Sequence, residues 1–289
     1  MTMGWNCLTG LSFEATARDV AMLATCASRF APDTIVAIPS LPDEDDAERL
    51  RAVAEVRALG FTPMPHVAAR RLTSLASLER LLAGWADSAR VDRLLVLAGD
   101  CAEPSGEFPD ALSVIRTGLF GQYGIRQVVI AGYPEGHGKI TVPKLEQAMH
   151  DKLAALAAQG LGAEIATQFC FSAQSVLAWL SRLRTREITV PVRLGIPGPA
   201  TLRTLLRYAA LCGVAASASV LARYGVSLAR LNNRAGPDTL VRDLADSLTP
   251  VRHGEVLAHF YPFGGMEGLC AWLDRQTRLQ VPLAKVEFS

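Results

Sequence analysis

The chain has 289 residues, 50% of them hydrophobic and 20% charged, with a formal net charge of +1. That composition supports a large core, in one barrel-sized domain or two smaller ones, and gives no electrostatic case for nucleic acid or a membrane surface as partner. No apolar run approaches the ~18 residues that span a bilayer, and the opening MTMGWNCLTG lacks the basic and apolar regions of a secretory signal, so a cytoplasmic protein is expected.

Taken in order, Leu11–Glu14 and Thr34–Ile38 read as strands, Asp43–Leu59 as a helix, Thr62–Val67 as a strand and Leu72–Ser88 as a helix. Arg93–Ala98 is the next strand, and Glu103–Pro109 after it a long loop rich in Ser, Gly and Pro. Gln127–Ala131 (strand), Pro143–Gln159 (helix), Glu164–Phe169 (strand), Ala173–Arg184 (helix), Val192–Ile196 and Val256–Tyr261 (strands) complete the series. Cys212–Ala215 is a spare strand candidate that blurs the last two units. Strand alternating with helix implies parallel strands joined by crossovers. Eight units fit an α/β fold of the single (β/α)8 TIM-type barrel, spanning residues 1–289 as one catalytic domain. A doubly wound open sheet is the runner-up, weakened because no Gly-x-Gly-x-x-Gly follows the first strand. Cys7, Cys26, Cys101, Cys170, Cys212 and Cys270 form no CxxC pair and read as reduced, mostly buried thiols.

In a barrel the chemistry gathers where strands end. The strand ends here supply Glu14, His66, Asp100, Tyr133 with Glu135 and His137, Gln168, and His259 with Tyr261. Each has an ordinary reading. Glu14 could be a first-turn acid of the next helix, Asp100 a turn cap, and His66 and His259 hydrogen-bonded core histidines. Gln168 is harder to dismiss, because an amide in an apolar strand must find partners or cost about 1–3 kcal/mol. Their joint placement favours one site. Gly136-His137-Gly138-Lys139 is not a phosphate loop, since Tyr133 and Ile140 stand where Gly and Ser or Thr are required. No His-x-His or His-x-x-x-His pair supports a metal, and no Gly-x-Ser-x-Gly elbow is present.

These strand ends resemble one family, the 5,10-methylenetetrahydrofolate reductases. Ser12-Phe13-Glu14 is similar to the family's first-strand Phe-Glu, and Pro65-His66 to its third-strand Pro-His. Leu97-Ala98-Gly99-Asp100 resembles Leu-Arg-Gly-Asp, Tyr133-Pro134-Glu135-Gly136-His137 resembles Tyr-Pro-Glu-x-His, and Thr167-Gln168-Phe169 resembles Thr-Gln-Phe. Gly195-Ile196-Pro197-Gly198 and His259-Phe260-Tyr261 extend the match to the last strands.

The resemblance implies an oxidoreductase interconverting 5,10-methylenetetrahydrofolate and 5-methyltetrahydrofolate, with FAD and NADH or NADPH. It implies Glu14 as the acid that protonates N10, with a pKa raised by burial. Asp100 would act beside flavin and pterin, and Gln168 would hydrogen-bond the pterin. His66, Gly99, Asp100, Tyr133, His137 and Lys152 would hold FAD. The departures are Ala98 for the family's arginine, Gly264-Gly265 for its Asn-Arg, and Leu202 near the expected pterin-stacking aromatic; Asp151 stands where a basic residue is expected. Lost cations weaken the complement to a pyrophosphate, so a flavin-independent enzyme passing hydride directly from NADH is an alternative. A pterin-binding methyltransferase component and a folate-binding protein without catalysis are two others. No appended regulatory domain is expected, and a homo-oligomer is compatible with the sequence.

Overall fold

Apolar strands covered on both faces need a parallel sheet sheathed in helices, open or closed on itself. The structure, a computed structural model, describes residues 5–42, 44–212 and 234–280. Strands β1 (Ser12–Glu14), β2 (Ile35–Ile38), β3 (Thr62–Ala68), β4 (Arg93–Leu97), β5 (Gln127–Gly132), β6 (Gly162–Thr167) and β7 (Val192–Pro197) are followed by a two-stranded antiparallel ribbon, β8 (Ala200–Thr201) with β9 (Arg234–Ala235), and then by β10 (Val256–Tyr261). The seven first strands and β10 form a closed parallel barrel in the order β1-β10-β7-β6-β5-β4-β3-β2. The expected (β/α)8 barrel is therefore what the chain builds, and each predicted strand is present with ends shifted by at most two residues.

Six helices in chain order are α1 (Val20–Cys26), α2 (Asp46–Ala58), α3 (Leu75–Ala89), α4 (Ala111–Ile115), α5 (Val142–Ala158) and α6 (Ala173–Thr185). Helices α2 and α3 begin three residues later than the apolar periodicity suggests, because caps set their starts. Asp45 accepts from the Glu48 amide, and Ser74 from the Ser77 amide. Asp43, the expected start of α2, lies outside the described residues. No helix of the described residues is long and apolar enough to cross a membrane.

Alternation along the strands divides the core in two. Phe13, Val36, Val67, Val96, Val128, Ile130 and Ile165 point outward into the layer shared with the helices. Ala37, Met64, Leu95, Val129 and Ala166 meet inside the barrel. Within the barrel's lower half a guanidinium is sealed in. Arg193 donates to Glu164 at 2.6 Å and to the Gly10 carbonyl and the Ser12 hydroxyl at 3.2 Å each.

The connection from β7 to β10 carries α7 (Leu202–Leu211). With Phe169, Phe171 and Ala200 it forms a separate apolar cluster, onto which Tyr261 and Phe263 pack. This cluster covers the C-terminal ends of β6 and β10. Of the spare strand candidate only Cys212 is described, and it is the C-cap of α7; residues 213–215 lie outside the described residues.

Candidate active site

Strand parity sends Glu14, His66, Gln168 and Tyr261 to the C-terminal mouth of the barrel. Glu14 ends β1, and a fifth of its side chain (21%) is exposed. Burial pushes its carboxyl up to about 8, so it carries its proton at neutral pH. His66 presents Nε2 at 3.9 Å from Glu14 Oε1. Burial, and secondarily the Arg49 guanidinium, pushes this histidine down to about 3. The contact therefore joins a neutral acid and a neutral imidazole, and is not an ion pair. Arg49 in turn donates to the His66 carbonyl at 2.8 Å and lies over the Trp85 ring.

Gln168 follows β6, its amide nitrogen bonded to the Gly132 carbonyl at 2.8 Å and its side-chain oxygen accepting from the Phe169 amide at 3.1 Å. The turn that places it depends on Gly195. A Cβ there would fall 2.6 Å from the Thr167 carbonyl oxygen and 2.7 Å from that of Gln168. The same close approach lets the Gly195 amide donate to Thr167 Oγ1 at 2.8 Å. Tyr261 donates its hydroxyl to the Thr167 carbonyl at 2.9 Å. Its phenol is held well above the ordinary range by burial, with smaller contributions from Glu14, Cys170, Cys212 and Tyr133.

Cys212 is the residue that sequence reading misses at this mouth. Burial raises its thiol, the charges of Glu14 and Asp100 add to that, and a side-chain hydrogen bond with Gln168 opposes it. No motif surrounds it; only the fold of α7 back over the barrel brings it in. Arg71 is a second omission. Its Nη2 meets Asp100 Oδ1 at 2.6 Å, and the Asp100 side chain is 74% exposed. Gly99, at φ +94°, makes the turn that delivers Asp100 to the rim, and any Cβ there would meet that of Ala68.

Tyr133 and His137 pack edge to face, with ring centroids 5.2 Å apart. Burial and the nearby Lys139 lower the His137 ring, and its Nδ1 already accepts from the Lys139 amide at 3.1 Å. Glu135, expected at the mouth, is a structural residue instead. Its Oε1 accepts from the Phe171 and Ser172 amides at 2.8 and 2.6 Å, fixing the entry to α6. Lys152 is set apart from the others. It lies about 15 Å along α5 from that helix's first residue and is half-buried; burial lowers its ammonium, and the charge of Asp110, the N-cap of α4, opposes that.

Among the described residues, the expected donor set does not fit a dinucleotide pyrophosphate. Ala98 carries no charge, and the Arg70 guanidinium donates to the Pro109 and Cys101 carbonyls. Arg71 is paired with Asp100, and burial pushes the Lys152 ammonium down, with the Asp110 charge opposing that. Lys139 is exposed beside His137, where a phosphate contact is screened and entropically costly. Two other departures have physical readings. A Cβ at Gly264 would collide with the Pro199 carbonyl oxygen, so an Asn cannot occupy that position on this backbone. Leu202, the first residue of α7, is buried in the apolar cluster built around that helix.

No protein-family model matches the chain. A Clostridium thermocellum protein of unassigned function, which binds two copies of 5-methyl-5,6,7,8-tetrahydrofolic acid, superposes with a TM-score of 0.58 at 12% identity, over 93% of this chain and 95% of that one. Dihydropteroate synthase from Thermus thermophilus gives a TM-score of 0.49 at 16% identity, covering 93% of both chains. The Burkholderia cenocepacia dihydropteroate synthase gives 0.48 at 13% identity, over 93% of this chain and 89% of that one. At these identities the likeness is one of fold.

Proposed function

We propose that the protein is a methylenetetrahydrofolate reductase-like oxidoreductase, interconverting 5,10-methylenetetrahydrofolate and 5-methyltetrahydrofolate at the barrel mouth. The observation that carries this reading is Glu14, a carboxylic acid held protonated up to about pH 8 at the end of β1. Opening the methylene bridge requires a proton on N10 as the bond from N10 to the bridging carbon breaks. A hydride then closes on the iminium carbon, and N5 keeps the methyl group. An ordinary exposed glutamate would be a carboxylate at neutral pH and could not give that proton. Once ionised, Glu14 supplies a negative charge beside the iminium. Gln168, reached by Cys212 on one side, offers amide groups to the pterin edge, and Asp100 adds a carboxylate at the rim. The fold also supports the assignment, since the C. thermocellum barrel binds the pterin that would be the product here.

The hydride source has two readings. FAD would rest against His66, Gly99, Asp100, Tyr133 and His137, with Lys152 as its expected phosphate partner. The mismatched donor set favours the second, in which NADH or NADPH passes hydride to the folate directly.

The test uses the purified protein with NADH or NADPH and methylenetetrahydrofolate, with and without added FAD. Folate-dependent loss of nicotinamide absorbance is expected, and Glu14→Gln should slow it by about a hundredfold or more. A bound flavin would colour the protein yellow and bleach with NADH; a colourless, active preparation would establish direct transfer. A fully active Glu14→Gln, or a native protein inert with every donor, would overturn the proposal.

A further inference from the structure

Beneath Glu14 stands a chain of buried groups, of which the resemblance gives Ser12 and His259 no role. On β10, His259 is fully buried, with its Cα in register with Ser12 on β1 and Gly195 on β7. The Ser12 hydroxyl oxygen accepts from Arg193 Nη1 at 3.2 Å and lies 2.8 Å from His259 Nδ1. Its other acceptor, the Ala258 carbonyl, is at 3.4 Å. One proton is shared in the short contact, given by the hydroxyl or by the ring according to the tautomer of His259. Burial, then Arg193 and His66, pushes this ring down to about 3, so it stays neutral.

His259 Nε2 and His66 Nε2 are both buried and make no hydrogen bond within the described residues. The rings are close enough for a charge on His66 to be felt at His259, and His66 Nε2 is the atom that faces Glu14. Two orphaned ring nitrogens beside a carboxyl are costly unless a further polar group joins them. A buried water needs two to four such partners, and two ring nitrogens, each able to donate or accept by tautomer, with a carboxyl beside them supply that number.

We propose that Ser12, His259 and His66 are positioning residues for Glu14, their two ring nitrogens holding a water against its carboxyl so that the acidic proton is aimed into the mouth. The inference rests on the reading of Glu14 as the acid. The titratable groups facing Glu14 are His66 on β3, Tyr261 on β10 and Cys212 after α7. Behind His259 stand Arg193 on β7 and its partner Glu164 on β6.

The experiment compares Ser12→Ala and His259→Phe with the native protein, using the pH dependence of kcat, KM for the folate, and the titration of the Glu14 carboxyl followed by carbon NMR. Ser12→Ala is the milder change, should His259→Phe fail to fold. Removing the donors to the carboxylate should raise its titration midpoint, carry the alkaline fall in kcat upward with it, and lower kcat about tenfold while KM holds. An unchanged midpoint in folded Ser12→Ala, with Glu14→Gln still inactive, would overturn the chain and leave the acid in place. A shifted midpoint with unchanged kcat would support the chain and overturn Glu14 as the acid.

Discussion

The two halves of the barrel interior treat buried ionisable groups in opposite ways. In the lower half, Arg193 and Glu164 meet at 2.6 Å, with Arg93 Nη1 3.8 Å from the other Glu164 oxygen. At the mouth, Glu14, His66 and His259 are nearly as deep but have no ion-pair partner of fixed charge among the described residues, and burial drives all three to their neutral forms. The lower charges are held by their partners. The upper groups are held neutral chiefly by burial, and a neutral carboxyl is the form that the proposed acid role of Glu14 needs. The Ser12 hydroxyl, bonded to Arg193 below and His259 above, joins the two halves.

The sharpest way to break this contrast is Arg193→Met. It leaves Glu164 buried without its main partner and should cost about 3–5 kcal/mol in denaturant unfolding, whereas adding Glu164→Leu should recover most of the loss. A double variant as unstable as the single one would mean that the pair's charges are not what matters. The mouth should show itself in the pH dependence of stability, on the order of a few kcal/mol. Glu14 is raised from 4.5 to about 8, so the folded state holds its proton more tightly and stability falls as pH rises between those values. His66 and His259 are depressed from 6.5 to about 3, so stability also falls as pH drops through that window. Urea midpoints for Glu14→Gln should lose the alkaline decline and keep the acid one; an unaltered alkaline slope would contradict a buried neutral acid. The smallest effect is expected at the backbone between the halves. Gly195→Ala should cost about 1–3 kcal/mol and displace Gln168, weakening folate binding in calorimetry more than it lowers the melting temperature.

The barrel is legible in the sequence because every strand is a local apolar run, and closure follows from alternation with helices. The upper groups are legible because strand ends are local too. Glu14, His66, Gln168 and Tyr133 need only strand parity to be placed together. Long-range packing decides the rest. Lys152 enters only through the resemblance, as a residue that would hold FAD, and its burial on α5 and the charge of Asp110 near it are relations that no spacing encodes. Glu135 shares its turn with Tyr133 and His137, but the approach of α6 converts it into a cap. Cys212 reaches Gln168 because an entire apolar cluster folds α7 over β6 and β10.

The contact between Ser12 and His259 spans 247 positions of the chain. β1 is three residues long and is paired with β10 at only two positions. Its acid therefore sits on the seam where the first and last strands of the barrel meet. Contacts of such separation carry the greatest loop-closure cost and form late in folding. The unusual protonation of Glu14 is thus a property of the finished cylinder. A nascent chain that has not yet made β10 carries an ordinary glutamate there, and the proton arrives as the ring shuts.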